Sequence, residues 1–159
     1  MRRKEKEIQD PAEILAVLEA SQWLHLGMSD GDAPYVVAVN FGLRDGQIYI
    51  HSSRKGRKIE TLRRNPRVCV AAEVDVALAP PTDPDKACAF GMRFRSVVGF
   101  GQAEILEEPA AVRDGLSVLM AHFSDREFTF PEEIVAKTAI IRIRLDELTG
   151  KRDLGSEGA

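Results

Sequence analysis

The residues of this chain best suited to chemistry lie between 47 and 66: Ile50-His51-Ser52-Ser53, then Gly56-Arg57-Lys58, closed by Asn65-Pro66. Seven of the fourteen residues from 54 to 67 are Lys or Arg, and only Glu60 opposes them. The pattern predicts a strand ending in hydroxyls, a glycine turn and a short basic helix, stopped where proline disfavours helical geometry in the residue before it. Backbone N–H groups at a helix start, hydroxyls and cationic side chains together suit a phosphate. Cations near a helix N-terminus oppose the macrodipole unless an anion sits there, which singles out Arg57 and Lys58. Arg63, Arg64 and Arg67 lie at the far end, where cations suit the dipole, and read as structural. Ser52 suits both a turn cap and a phosphate contact. His51 ends an alternating strand. There it could be held by a backbone carbonyl, touch a ligand, move a proton or ligate iron.

The rest of the composition limits the partner. A chain of 159 residues is one domain by the usual prior and can bury a core without disulfides or metal. Its net charge of −3 argues against a general nucleic-acid or membrane-surface binder, so the local basic cluster points to a small anion. No segment approaches the ~20 apolar residues of a membrane span. Residues 1–7 are basic but have no apolar stretch behind them, unlike a secretory signal. Cys69 and Cys88 stand far apart, as expected of free thiols in a reducing cytoplasm. His25, His51 and His122 show no ligand spacing, so no metal site is expected. His25 reads as structural, and His122 as a partner for a helix carbonyl end.

The elements that must position these residues follow from periodicity and punctuation. Asp10-Pro11-Ala12-Glu13 predicts a capped helix start, with the helix ending near Ala20. Strands are expected over 23–29, 35–43, 47–52, 67–78, 94–106 and 138–145. In the fourth, Val68, Val70, Ala72, Val74 and Val76 share one face. In the fifth, Gly99 and Gly101 suggest a bulge or a close backbone approach. Glu108-Pro109 starts another helix, with Val112, Leu116, Leu119, Met120 and Phe123 facing inward. Residues 1–9 read as a flexible segment, 10–149 as the folded domain and 150–159 as a polar, loose tail. Six strands with short hairpins and few crossovers favour an antiparallel barrel with flanking helices over a parallel sheet.

With Pro34-Tyr35-Val36-Val37-Ala38-Val39-Asn40-Phe41, Ile50-His51-Ser52-Ser53, Gly56-Arg57-Lys58, Asn65-Pro66 and the segment Cys88 through Gly101, the chain resembles the pyridoxamine-phosphate-oxidase-like flavin-binding split barrels. Within these it is most similar to the nitroimidazole-resistance (NimA-like) branch, over about residues 23–123. The resemblance implies a mainly β, six-stranded antiparallel split barrel of the FMN-binding type. In such proteins the helix after the third strand carries an Arg-Lys pair on the flavin mononucleotide phosphate. Counting back from Asn65-Pro66 matches Arg57-Lys58 to that pair rather than Arg54-Lys55. His51 and Ser52 match strand-end residues that also touch the flavin. The backbone of Val37, Ala38, Val39 and Asn40 would lie along the ring edge. Arg95, Ser96 and Val97 match a segment supplied by the other subunit, so a homodimer with a shared site is implied.

The implied activity is an FMN-dependent oxidoreductase of nitroreductase type, acting on a small-molecule acceptor, with His51 near the reactive face. Vitamin B6 oxidation is disfavoured. True pyridoxamine-phosphate oxidases carry a tyrosine-like residue where His51 stands, and Lys151-Arg152-Asp153-Leu154-Gly155 has no match to their C-terminal substrate residues. Three alternatives stay open: a haem-binding or haem-handling protein using a histidine ligand, a flavin-binding redox protein without turnover, and a cofactor-free module that binds a small ligand.

Overall fold

The computed structural model describes residues 3–81, 83 and 85–155. A 3-10 turn at Lys4–Lys6 precedes β1 (Glu7–Ile8), α1 (Pro11–Ala20), β2 (Leu24–Asp30), β3 (Ala33–Val39), β4 (Gly42–Arg44) and β5 (Gln47–Ser53). Then follow α2 (Arg57–Arg64), β6 (Arg67–Ala79), a second 3-10 turn (Ala87–Ala89), β7 (Gly91–Leu106), α3 (Pro109–Ala121), α4 (Glu132–Lys137) and β8 (Thr138–Asp153).

The strands pair antiparallel in the order β3-β2-β6-β7-β8-β5-β4, with β1 added beside β8. The two edges, β3 and β4, are neighbours in sequence, separated only by Asn40 and Phe41. Three residue steps from Val39 to Gly42 reach at most about 11 Å. The sheet therefore curls until its edges lie close, leaving a split barrel that is mainly β with flanking helices. Among the described residues it holds eight strands rather than the expected six. The predicted strand over 35–43 breaks because Phe41 turns inward and is fully buried, and β1 was not foreseen.

Alternation along β5 shows why the core forms. Ile48 and Ile50 point into the barrel with Leu24, Leu26, Val70, Ile141 and Ile143, closed by Val17 and Leu18 of α1 and Ile59 and Leu62 of α2. Tyr49, on the opposite pleat, packs with Val112, Leu116, Val118, Val135 and Ile140 under α3 and α4. Both faces of β5 are thus covered through Ile50, and its more exposed end, His51-Ser52-Ser53, is paired with Ile140, Ala139 and Thr138 of β8.

Several local expectations are corrected. Residues 1–9 are not uniformly loose, because Ile8 is buried and pairs with Gly150. The tail is not loose from 150 either: β8 continues to Asp153, opposite Phe94. Gly150 makes this possible, since a Cβ there would lie 2.8 Å from Ile14 Cγ1, in the space where α1 approaches. Residues 156–159 lie outside the described residues. Asp10 caps α1 through Ala12 N–H (2.9 Å), but Glu13 pairs with Arg152 instead of closing the box. A bulge at Asp75, whose φ is +56°, inserts an extra residue and flips Val76 outward, which ends the one-sided alternation of β6. Phe123 lies past the end of α3 and is exposed. The bulge expected near Gly99 and Gly101 is present at Phe100/Gly101, where a Cβ on Gly101 would fall 2.1 Å from Arg144 O. Among the described residues no helix is long and apolar enough to cross a membrane.

Candidate functional site

α2 begins without a capping side chain. Gly56 holds φ +113°, a conformation that favours glycine, and brings no side chain to accept from the first turn. The first intrahelical bond is Glu60 N–H to Gly56 O, so the N–H groups of Arg57, Lys58 and Ile59 face outward. Ile59 and Leu62 anchor the helix in the barrel, which fixes where those donors point. Ser53, not Ser52, caps the preceding turn by accepting from Lys55 N–H at 3.3 Å. The half-buried Ser52 hydroxyl makes no hydrogen bond among the described residues and is open to another partner.

Lys58 is half-buried, and its burial holds the ammonium pKa below the ordinary lysine value with no offsetting carboxylate among the described residues. Its charge also reaches His51. That imidazole is pulled below its ordinary pKa first by partial loss of hydration and then by Lys58, although its side chain still touches solvent. His51 is therefore neutral near pH 7 and offers one ring N–H and one acceptor nitrogen. It lies opposite Ile140, on the pleat covered by α3 and α4, while Ser52 lies opposite Ala139 on the barrel side. The two meet a common ligand only at the strand's end.

The depressed His51 pKa carries a pH signature. As pH falls through about 6.5, the unfolded chain binds a proton that the folded protein resists, so stability declines. A His51→Gln variant is expected to lose less melting temperature than the wild type between pH 7 and 5. Identical pH slopes would refute the assignment.

The remaining basic residues divide differently from the expectation. Arg54 donates to three backbone carbonyls, Glu107 O (2.8 Å), Thr138 O (3.1 Å) and Val135 O (3.4 Å), and so ties the turn to α4 and β8. An Arg54→Ala variant is expected to unfold about 2 kcal/mol more easily in urea, the scale of a lost charge-assisted bond. Its ligand affinity should not change. Arg63 pairs with Glu107 and Arg64 with Asp30. Arg57 is not free of balancing acid, as the sequence suggested. Its Nε donates to Asp30 Oδ2 at 2.9 Å, and its guanidinium lies over the Tyr35 ring at 4.4 Å. Asp30 is held below the usual carboxylate range, chiefly by the bond from Arg57 and then by that from Arg64. Asp30 and Tyr35 are the partners that sequence reasoning missed. The available signal was the seven-residue spacing of Arg57 and Arg64, which puts both on one helix face.

The contact with Tyr35 brings α2 beside β3. Among the described residues this strand pairs only with β2, so the outward N–H and C=O groups along Val37, Ala38 and Val39 have no strand partner there. The side chains of Val37 and Val39 pack on the core, and Ala38 and Asn40 face out. Arg95, Ser96 and Val97 sit elsewhere, three strands along the sheet from β3, or roughly 14 Å at the usual spacing. Arg95 Nε donates to Asp75 Oδ2 at 2.7 Å. Ser96 lies opposite Glu73 and Lys151. Val97 is buried in the barrel, so its side chain is turned away from any ligand outside the protomer; alternation forces this once Ser96 faces out. His25 Nδ1 lies 3.6 Å from Glu73 Oε2, and His122 Nε2 donates to Ser21 O, at the end of α1, at 2.7 Å.

A cleft of about 690 Å³ lies away from α2. It runs over the outer sheet face past Gly27, Val36, Cys69, Phe100 and Glu147, residues that the strand registers put in one lateral row. Val36 is 61% and Phe100 50% exposed.

Comparison with known proteins gives this geometry a context. The profile of the pyridoxamine 5'-phosphate oxidase family matches residues 10–152. Among curated proteins no sequence matches significantly. Similar solved structures include a proposed 5-nitroimidazole antibiotic resistance protein of Bacteroides thetaiotaomicron, 29% identical with a TM-score of 0.80, covering 91% of this chain and 85% of that one. An FAD-binding protein of Mesorhizobium loti is 27% identical with a TM-score of 0.65, covering 91% of this chain and 95% of the other. The flavocytochrome Anf3 of Azotobacter vinelandii, 22% identical with a TM-score of 0.83, covers 98% and 72% and shares the fold.

Proposed function

The chain belongs to the pyridoxamine 5'-phosphate oxidase family, and on that premise we propose that it is a flavin-binding protein whose cofactor is flavin mononucleotide. The observation that carries this reading is Lys58: a half-buried ammonium with no counter-ion among the described residues, at the uncapped start of α2, next to Arg57, whose guanidinium lies over Tyr35 of the edge strand β3. An anion there would remove the cost of burying the charge and satisfy the open N–H groups together. Lys58, Ser52 and the first amides of α2 would hold the phosphate, with Arg57 alongside. The free edge of β3 from Val37 to Val39, with Asn40 just beyond the strand, would hold the ring by backbone bonds. When bound, flavin supplies two-electron transfer to a small organic acceptor such as a nitro-aromatic. The protein's part is to orient, to exclude water and to offer His51 as a neutral group that can give or take a proton.

The second protomer enters this reading for two reasons. Arg95 and Ser96 are too far along the sheet to reach the β3 edge of their own protomer. The outer face bearing Val36, Val98 and Phe100 is apolar and exposed, as expected of a surface covered by a second copy. Light scattering at micromolar concentration tests this, and a monomer would rule out a shared site.

A spectrum of the purified protein with flavin titrations tests the cofactor. The expected result is flavin absorption bands and tighter binding of flavin mononucleotide than of riboflavin. A neutral, solvent-reaching His51 also suits iron ligation, which keeps a haem reading alongside. A Soret band lost in His51→Ala would favour haem, whereas flavin bands alone would exclude it.

A further inference from the structure

We infer that Asp30 is a positioning residue for the phosphate cradle, orienting Arg57 so that its terminal amino groups face the anion. The inference rests on the reading that the start of α2 binds a flavin phosphate. Asp30 ends β2, and its carboxylate is divided: Oδ2 accepts from Arg57 Nε at 2.9 Å and Oδ1 from Arg64. The two arginines are seven residues apart, about two helical turns, so one carboxylate bridges a single face of α2. The Asp30 side chain is 21% exposed, against 56% for Arg57. The carboxylate is thus the covered, fixed partner of the pair.

Only Nε of Arg57 is engaged. Among the described residues its two terminal amino groups make no hydrogen bond, while the Tyr35 ring lies against the guanidinium at 4.4 Å. A guanidinium carries five N–H donors in a planar fork. Held at Nε and backed on one face, it keeps four donors aimed in a set direction instead of sweeping the rotamers of a long exposed side chain. The order that phosphate binding would otherwise impose is already present. Tyr35 belongs to β3, so the same clamp registers the cation against the strand edge proposed for the ring.

A carboxylate beside a cation can also act in the opposite sense, by competing with the phosphate, and the two roles predict opposite signs. The experiment is fluorescence titration of wild type, Asp30→Ala, Arg57→Ala and the double variant with flavin mononucleotide and with riboflavin. Asp30→Ala is expected to weaken flavin mononucleotide about tenfold, the scale of one immobilised long side chain, and to leave riboflavin unchanged. In the Arg57→Ala background, the Asp30 substitution should then have no further effect. Unchanged or tighter flavin mononucleotide binding in Asp30→Ala would overturn the inference, as would an equal loss for riboflavin, the sign of a merely structural role. Should Asp30→Ala not fold, Asp30→Asn, which keeps the shape and one acceptor, must show a smaller loss of the same selectivity. A wild type that binds both flavins equally overturns the cradle itself and the inference with it. A wild type that discriminates, with Asp30 variants that match it, overturns the role of Asp30 alone.

Discussion

Replacing Arg57 and Lys58 together by alanine is expected to weaken flavin mononucleotide binding by roughly a hundredfold or more. Each charge-assisted hydrogen bond is worth about 1.5–3 kcal/mol, and every 1.4 kcal/mol is a factor of ten. The exposure of Arg57 argues for the low end of its range, and the partial burial of Lys58 for the high end of the other. Riboflavin, which lacks the phosphate, should bind the variant as it binds the wild type, so the ratio of the two affinities is the decisive readout. Stability should change little: exposed ion pairs such as Arg57–Asp30 contribute little, and Asp30 keeps its bond from Arg64. Ile59 and Leu62, which anchor α2, are untouched, and Lys58 lies half-buried against the helix dipole with no counter-ion among the described residues. A variant that keeps its flavin mononucleotide affinity would end the cradle reading.

The second large effect concerns the joint between the two sheet edges. Phe41 is fully buried between β3 and β4, with its ring 4.7 Å from that of His122. Phe41→Ala is expected to cost about 3–5 kcal/mol, as large-to-small substitutions of buried aromatics do. Against a total stability of about 5–15 kcal/mol, that is enough to shift a denaturant midpoint far or to leave the domain unfolded at 37 °C. Phe41→Leu, which retains most of the volume, should cost much less. If both variants melt like the wild type, the closure of the barrel does not depend on this side chain. A loosened joint would also free β3, whose edge is the proposed seat of the ring, so flavin affinity should fall in Phe41→Ala.

The sequence itself carried the elements and the anion site. Hydrophobic alternation marks six of the strands. Asp10-Pro11 marks the start of α1, and Asn65-Pro66 the end of α2. Those signals are local, because backbone geometry and pleat direction depend on near neighbours. Gly56 followed by Arg57 and Lys58 was legible for the same reason: an uncapped basic helix start is unfavourable on its own. Where side chains go after leaving their own element was not legible. Val76 and Phe123 looked inward by period, until a bulge at Asp75 and the end of α3 turned them out. Arg57 looked unopposed because Asp30 lies 27 positions away and meets it only when α2 docks on β2. Ile8 and Gly150 looked loose because neither buries anything without the other. The kinds of element and the chemistry of the basic turn therefore followed from the residues alone. Which cation keeps a free charge, which is clamped, and which strand edge lies open were decided by packing between segments distant in the chain.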